Sequence, residues 1–442
     1  MTPCEINCTE AWCLAVPSFL GFCPHAVNGT SLASLQGDAM RWPALLLGLL
    51  VCASAGGEGV RPGLLITPDN YRQYLADLRR LLSPGAFRVV EEGLRRGYIK
   101  MPIVETKRYP QYRPFYEATL AHRGRARVGP DNQLLGWVSG LPFPQPRRGV
   151  ELAWNLDRRV TVSDNYFFEG DFYLYNGPGR PERRYRWWYW VYRANGRVWP
   201  PPVPLDPINR GRPWREQIRW RSQFVMVSPF DVRGFAVIRT RYEGVDRWDD
   251  LFSYIPAIRR IRRMTGADVC DPMLGTDTIY DDFELFSQKI TARMTFRMHR
   301  KRMLVPIYYC ETPPAFDPKT GYRQHVWNLR EGWVLEIFPN DPEYLYSKRV
   351  VYLEAQRLNG SGYYLDTYDQ RGRLYRQQVY LNRYLDDELH TPSSFGARYT
   401  NLMSGHFTHI VMEYPGLRVG RHREVRISAA DFNFRWLLRH AR

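Results

Sequence analysis

The chain has 442 residues, 44% hydrophobic and 24% charged, enough length and apolar content to bury a real core, which sets aside a coreless, disordered class. Aromatic residues make up 14%, with 14 Trp and 29 Tyr, a bias toward β structure and apolar surfaces. The excess of 62 basic over 45 acidic side chains, +17, suits anionic partners but does not choose among nucleic acid, phospholipid headgroups and acidic glycans.

Residues 1–39 hold four cysteines and little pattern, and are read as an upstream extension outside the working protein. From Met40 the sequence MRWPALLLGLLVCASAGGEG offers a basic residue, an apolar run over 44–52 and then Ala53-Ser54-Ala55. That is a secretory signal over 40–55 with cleavage before Gly56, and its apolar run is too short to span a bilayer. Cys52 is a poor lipoprotein site, because Val51 stands where a small residue is wanted. The mature chain, 56–442, is expected to be one domain in the periplasm. Its two cysteines, Cys270 and Cys310, either pair in that oxidising compartment or remain buried thiols. No later stretch is long and apolar enough to cross a membrane.

A helical start is expected over 67–97. Thr67 reads as an N-cap with Pro68 at the first helical position, and Tyr71, Tyr74, Leu75, Leu78, Leu81 and Leu82 share one face. Ser83-Pro84 repeats the signal, with Phe87, Val90 and Leu94 following before Gly97. After Tyr98 the pattern turns to β, a meander placed over 130–440. The run RRYRWWYWVYRANGRVW ends on Asn195-Gly196, a hairpin signal. On its strand, Tyr185, Trp187, Tyr189 and Val191 face one way and Arg186, Trp188, Trp190 and Tyr192 the other. Both faces are therefore largely aromatic, as when one packs on a core and the other lines a cavity or meets a cover. Residues 222–264 read as three or four short strands divided at Pro229-Phe230-Asp231, Glu243-Gly244 and Pro256. Further strands follow in RMLVPIYYC, GWVLEIFP, KRVVYLEAQ, GYYLDTYDQRGRLYRQQVYL and HFTHIVMEYP. Short sequential strands with tight turns argue for an antiparallel meander closing toward a barrel.

Catalytic spacings are missing. There is no phosphate loop, no dinucleotide fingerprint after a strand and no nucleophile elbow, and neither cysteine has redox or zinc spacing. His406 and His409 fall on opposite faces of one strand, and the acids from Asp268 to Glu284 do not match a Ca²⁺ loop. No catalytic residue, metal or cofactor is expected. The most charged stretch, SYIPAIRRIRRM, carries four arginines. If 258–264 is a strand, Arg260 and Arg262 point to one side and Arg259 and Arg263 to the other. Two must then face inward and need anionic or hydrogen-bonding partners. Asp268, Asp271, Asp277, Asp281 and Asp282 just downstream would supply them, giving an Arg–Asp network that pins the next loop. The alternative is that an inward arginine meets the polar head of a ligand.

The block SPFDVRGFAVIRTRYEG…DDLFSYIPAIRRIRRM…GTDTIYDDF, with LLSPG, GWVSGLPFP, Trp154-Asn155 and NDPEYLYSKRVVYLE around it, resembles the outer-membrane lipoprotein-sorting (LolA/LolB-like) superfamily. Within it, the chain is similar to the domain-of-unknown-function family 1329, from about Leu65 to the carboxyl end. The resemblance implies a mainly β fold: an antiparallel, incompletely closed β-barrel with helices capping an apolar cavity. It also implies a periplasmic protein that handles a lipid or other hydrophobic molecule. Relatives associate with resistance-nodulation-division type exporters and outer-membrane proteins, which become the expected partners. No catalytic residue carries over.

The function expected is therefore a non-enzymatic carrier or chaperone for a lipid-like ligand, with transient membrane contact and no nucleic-acid role. Shielding an apolar surface from water is worth about 25 cal/mol per Å². Trp187, Trp188, Trp190, Trp333 and residues 344–346 are the candidate cavity wall, and Arg259, Arg260, Arg262 and Arg263 the candidate headgroup contacts. The alternative is an envelope interaction protein docking on an anionic surface or partner complex. An envelope hydrolase would require an accessible carboxylate pair in a polar cleft.

Overall fold

In the computed structural model, the described residues are 59–442 apart from 108, 110, 200–201, 203–204, 266–267, 310–315, 356–360, 385–389, 391, 413–426 and 441–442. The signal expected over 40–55, the extension before it and Cys310 lie outside them. A two-residue strand β1 (Leu65–Ile66) comes first, then a 3-10 turn at Tyr71–Tyr74, α1 (Leu75–Leu81) and α2 (Pro84–Arg95). Thr67 does not cap a helix. Its N–H donates to Asn70 Oδ1 at 2.8 Å and its hydroxyl accepts from Asp69, so the side chains that suggested a cap close a turn instead. Ser83 is the true cap, its hydroxyl accepting the Ala86 N–H at 3.0 Å with Pro84 behind it.

The expected switch to β is interrupted. After β2 (Met101–Val104) come α3 (Arg113–Ala121), a small pair β3 (Arg127–Val128) and β4 (Leu134–Leu135), and α4 (Gly149–Asp157). Residues 152–157 of α4 are all buried. A helix enclosed on every side has no polar face, so it lacks the 3.6-residue signature.

The strands that follow are β5 (Asn165–Tyr175), β6 (Pro181–Arg193), β7 (Ile218–Ser228), β8 (Ala236–Tyr242), β9 (Asp250–Ile255) and β10 (Arg260–Arg263). Next come β11 (Thr295–Tyr309), the pair β12 (Phe316–Asp317) and β13 (Tyr322–Arg323), and β14 (Trp327–Phe338). The last are β15 (Lys348–Glu354), β16 (Gly362–Tyr368), β17 (Leu374–Tyr384), β18 (Pro392–Asn401) and β19 (Phe407–Val411), before α5 (Phe434–His440). Fifteen strands form one sheet, fourteen of them in the order β1-β2-β14-β15-β16-β17-β18-β19-β5-β6-β7-β8-β9-β10. Strand β11 bridges it, pairing antiparallel with β14 and then, at its end, parallel with β17. The ladder thus closes locally through β11 but runs open to β10, the mainly antiparallel, incomplete barrel expected. Asn195-Gly196 is a turn but not a hairpin, since β6 ends at Arg193 and its partner β7 starts only at Ile218. Gly196 has φ +69° and lies against the Trp137 ring, where a Cβ would come within 2.1 Å. A side chain cannot fit there.

One core cluster joins strands far apart in the sheet: Phe172 of β5, Val237 of β8, Leu335 of β14 and Tyr399 of β18. The sheet therefore curls around that core, and α4 and the segment 273–294 fill the curl. On the opposite face, α1 and α2 cover β11 and β14–β16 through Met303, Val334, Tyr352 and Tyr364. Further along, α5 covers the back of β6–β8, with Leu437 beside Trp190 and Ile238.

The filling is held by charge. In β8, Arg239 and Arg241, with Glu243 just after its end, are all buried, as residues two apart on the inward face must be. Arg158 at the end of α4 donates from both terminal nitrogens to Glu243. Arg219 pairs with Asp157. Arg241 Nη2 donates to Asp249 at 2.8 Å, and Arg239 donates to Asp249 at 2.7 Å and to Asp281 at 3.2 Å. Arg349 of β15 pairs with Asp282, which also accepts from the Tyr346 hydroxyl at 2.7 Å. Burial alone would raise the Glu243 and Asp249 carboxyls, but Arg158 for the first and Arg241 and Arg239 for the second hold them below the usual range. Asp282→Asn leaves Arg349 buried against a neutral group and should cost about 3–5 kcal/mol in urea unfolding. Asp268→Asn, whose ion-pair partner Arg262 is solvent-exposed, should cost about 1 kcal/mol or less. Equal losses in the two variants would refute this account of the filling.

Candidate functional site

The four arginines of the charged stretch do not face inward. Arg259 and all of β10 are exposed, because among the described residues β10 is the edge of the sheet, with no strand beyond it. Arg262 donates to Asp268 at 2.6 Å and Arg263 to Asp250 at 3.1 Å. Asp268 also accepts the Thr265 N–H and hydroxyl, and these bonds, aided by Arg262, hold its carboxyl below the usual range. So Asp268 joins the stretch as expected, whereas Asp281 and Asp282 serve Arg239 and Arg349. Asp277 accepts from Thr408 at 2.9 Å and lies 2.7 Å from His406 Nδ1, and Asp271 is exposed. Cys270 is a free, half-buried thiol whose pKa burial raises.

The aromatic candidates lie in separate places in the fold. Trp187 packs among Phe172 and Phe224 in the inner core. On the other face of β6, Trp190 meets Trp436 of α5, and half-buried Trp188 donates to Glu169. The guanidinium of Arg300 lies 3.5 Å over Trp333. Tyr344 and Tyr346 donate to Asp281 and Asp282. A polar gap of about 50 Å³ in the curl is lined by Asp157, Arg159, Arg219, Arg241 and Glu284. It is part of the charge network, and none of the four tryptophans lines it.

The better candidate lies on the other face of the sheet, beneath α2. Val89 and Val90 of α2, Ile99, Tyr364 of β16, and Val379 and Leu381 of β17 form an apolar slot of about 50 Å³. It has room for a few waters, well short of the several hundred Å³ of a drug-sized ligand site. Its polar lining comes from Arg323, His325, Trp327, Gln377, Arg398 and His409, with no Asp or Glu. His325 Nδ1 is 2.9 Å from the Tyr308 hydroxyl. Burial, then the charges of Arg323 and Arg398, push its pKa down to about 3. The same causes, with His325 added, hold His409 well below its ordinary value. Both rings are therefore neutral at pH 7.

Helix α2 roofs this slot, and its amino end is tied down. The buried Asp366 of β16 accepts the Ser83 hydroxyl and the Gly85 N–H, both at 2.9 Å. Only glycine allows that approach, since a Cβ on residue 85 would sit 2.5 Å from Asp366 Oδ1. Lys301 donates to the Leu82 carbonyl at 2.8 Å beside it. Burial raises the Asp366 pKa to about 6, against the opposing bonds from Gly85 and Ser83 and the charge of Lys301.

Residues 65–425 match a family of proteins of unknown function, DUF1329. The chain belongs to this family. It is the family that the SPFDVRGFAVIRTRYEG block resembles. Among solved structures, a candidate outer membrane lipoprotein-sorting protein domain from Vibrio parahaemolyticus aligns at 17% identity and TM-score 0.43, over 65% of this chain and 97% of its own. A DUF1329 family protein from Desulfovibrio piger aligns at 17% identity and TM-score 0.44, over 64% and 95%. A LolA superfamily protein from Nitrosomonas europaea aligns at 14% identity and TM-score 0.35, over 60% and 91%. No curated protein matches the chain.

Of the slot's residues, the DUF1329 sequence alone pointed to Val90 through the α2 face and singled out His409 only as one of two scattered histidines. Arg398 sits on β18, whose sequence PSSFGARYTN looks like a loop. The latch gives a pH signature. Because the folded Asp366 value, about 6, is above the ordinary carboxylate value, its contribution to stability is fully present below about pH 4 and is lost as pH rises through 6. Relative to Asp366→Asn, the native protein should lose on the order of 2–3 kcal/mol between pH 4 and pH 7, read from urea midpoints. A difference that stays flat, or grows with pH, would sink the assignment.

Proposed function

We propose that the protein is a periplasmic, non-enzymatic carrier or chaperone for a lipid-like molecule, held in the slot between α2 and β17. The observation that carries this reading is the slot itself. It is an apolar strip roofed by one helix and latched at one end, where a shift of that helix enlarges the space without unpairing the sheet. Hydrophobic cargo is kept from water by the same apolar side chains that now close on each other. An envelope exporter of the resistance-nodulation-division type and an outer-membrane protein are the partners in this proposal. The test is solvent extraction of the natively purified protein followed by mass spectrometry. Near-stoichiometric lipid is expected from the wild type. Val89→Trp, which fills the slot from the α2 side, should lose most of it while keeping the wild-type circular dichroism. Repeated absence of lipid from the folded wild type would overturn the proposal.

A second reading rests on the exposed edge. Arg259 and Arg260 with Ile258 and Ile261 present a cationic, partly apolar strand with no neighbour beyond it among the described residues, which suits docking on an anionic surface. Sedimentation with vesicles containing phosphatidylglycerol should then be salt-sensitive and fall several-fold in Arg259→Glu/Arg260→Glu. Binding that ignores both salt and these charges would refute it.

A further inference from the structure

Resting on the carrier reading, we infer that the slot beneath α2 recognises the acidic head of its amphiphile, a carboxylate or phosphomonoester, through Arg398 and His409. The argument begins with what lines the polar part. Arg398, His409, Trp327 and His325 bring nitrogen groups there, and no carboxylate lines the space. Arg398 is buried, and among the described residues no carboxylate lies within ion-pairing reach of it. Its guanidinium bonds only to neutral groups among the described residues: Nε to the Thr400 hydroxyl and Nη1 to the Gly321 carbonyl, both at 3.3 Å, and the Tyr322 hydroxyl. It lies 3.7 Å from the Phe407 ring centroid and 4.2 Å from that of Tyr322, contacts that fix the guanidinium plane without neutralising it.

His409 is the second observation, independent of the arginine. It is 2% exposed, stacked on Phe316 at 4.2 Å, and neither ring nitrogen has a hydrogen-bond partner among the described residues. The Trp327 indole N–H, also in the lining, has none either. Unsatisfied donors of this kind are costly in a buried site, and their natural complement is an acceptor carried in by the ligand. The Gln377 Oε1 is an unpartnered acceptor in the same lining. It can take the proton of a protonated acid or a neighbouring hydroxyl. A neutral ester would leave the Arg398 charge uncompensated; an anion does not. A bidentate oxyanion also matches the planar fork of an arginine.

The apolar strip of Val89, Val90, Val379 and Leu381 adjoins these donors in the same slot, so head and chain of one molecule are read together. A free fatty acid and a lysophospholipid with a terminal phosphate share this chemistry, and the experiment separates them.

The test uses the full mature chain and displacement of the neutral fluorophore N-phenyl-1-naphthylamine. The competitors are palmitate, methyl palmitate, lysophosphatidic acid and monopalmitoylglycerol. Palmitate should displace the fluorophore at least about tenfold more tightly than its methyl ester, the size of a charge-assisted hydrogen bond. If the source is a phospholipid, the larger preference is instead that of lysophosphatidic acid over monopalmitoylglycerol. In Arg398→Gln the acid-to-ester ratio should fall to within about twofold. His409→Phe, which keeps the stacking ring but removes the donor, should lower it several-fold, so the inference does not hang on one variant folding. Fluorophore binding with acid and ester displacing equally in the wild type overturns the anionic head and leaves the carrier standing. A folded wild type that binds neither fluorophore nor any of the lipids overturns both.

Discussion

The fold depends on neutralising the charges that β8 turns inward. Arg239, Arg241 and Glu243 lie on the concave side of the curled sheet, where a lone charge would be far costlier than any hydrophobic contact could offset. Their partners come from different parts of the chain: Arg158 from α4, Asp249 from the loop before β9, and Asp281 from the segment that enters the curl. Arg349 and Asp282 extend the chain of pairs to β15. A buried pair is weak evidence of stability compared with an apolar substitute, but a broken one is costly. What the network imposes is placement. It allows one position for α4 and one path for residues 273–294, and so fixes what fills the curl.

Because charge and aromatic side chains already occupy the concave side, a hydrophobic guest has little space there. The apolar slot lies on the other face, between α2 and β16–β17, where the fixing is much lighter. Helix α2 is tied at its first turn by Asp366, Ser83 and Lys301. Its last turn makes close contact with β13 at Tyr322, where a Cβ on Gly93 would come within 2.7 Å of the ring. The helix is thus held by directional polar bonds at one end and mainly by non-directional apolar contacts along its length.

The parts of this architecture legible in sequence were those set by neighbours along the chain. Ser83-Pro84 announces α2, the turns at 229–231, 243–244 and 256 divide β7 to β10, and alternation in β6 separates Trp187 from Trp188 and Trp190. The spacing Arg239-x-Arg241-x-Glu243 could also have been read, since strand alternation alone sends all three to one side. What stayed hidden depended on distant partners. Asp281 and Asp282 follow four arginines closely yet pair with Arg239 and Arg349, 42 and 67 residues away. The expectation that Arg259 to Arg263 must divide between core and solvent assumed a strand covered on one face. An edge strand needs no such cover, and charge there blunts unwanted pairing. Burial on all sides concealed α4, and the Ser- and Gly-rich sequence of β18 concealed the strand that carries Arg398.

The two groups of arginines show why net charge is a poor guide to recognition in this chain. The exposed arginines of β10 face water, where an ion pair at about 4 Å is worth near 1 kcal/mol and is screened by salt. Two of them already have carboxylate partners. Arg398 contributes one charge to the total of +17, but it sits in an enclosed, largely apolar lining beside two neutral histidines and no acid. Water there is a weak competitor, so the same charge acts at a lower effective dielectric and with its plane held by Phe407 and Tyr322. The proposed selectivity for an acidic head rests on that desolvation and fixed geometry. The many surface charges can bring an anionic membrane or partner near, but they cannot distinguish an acid from its ester.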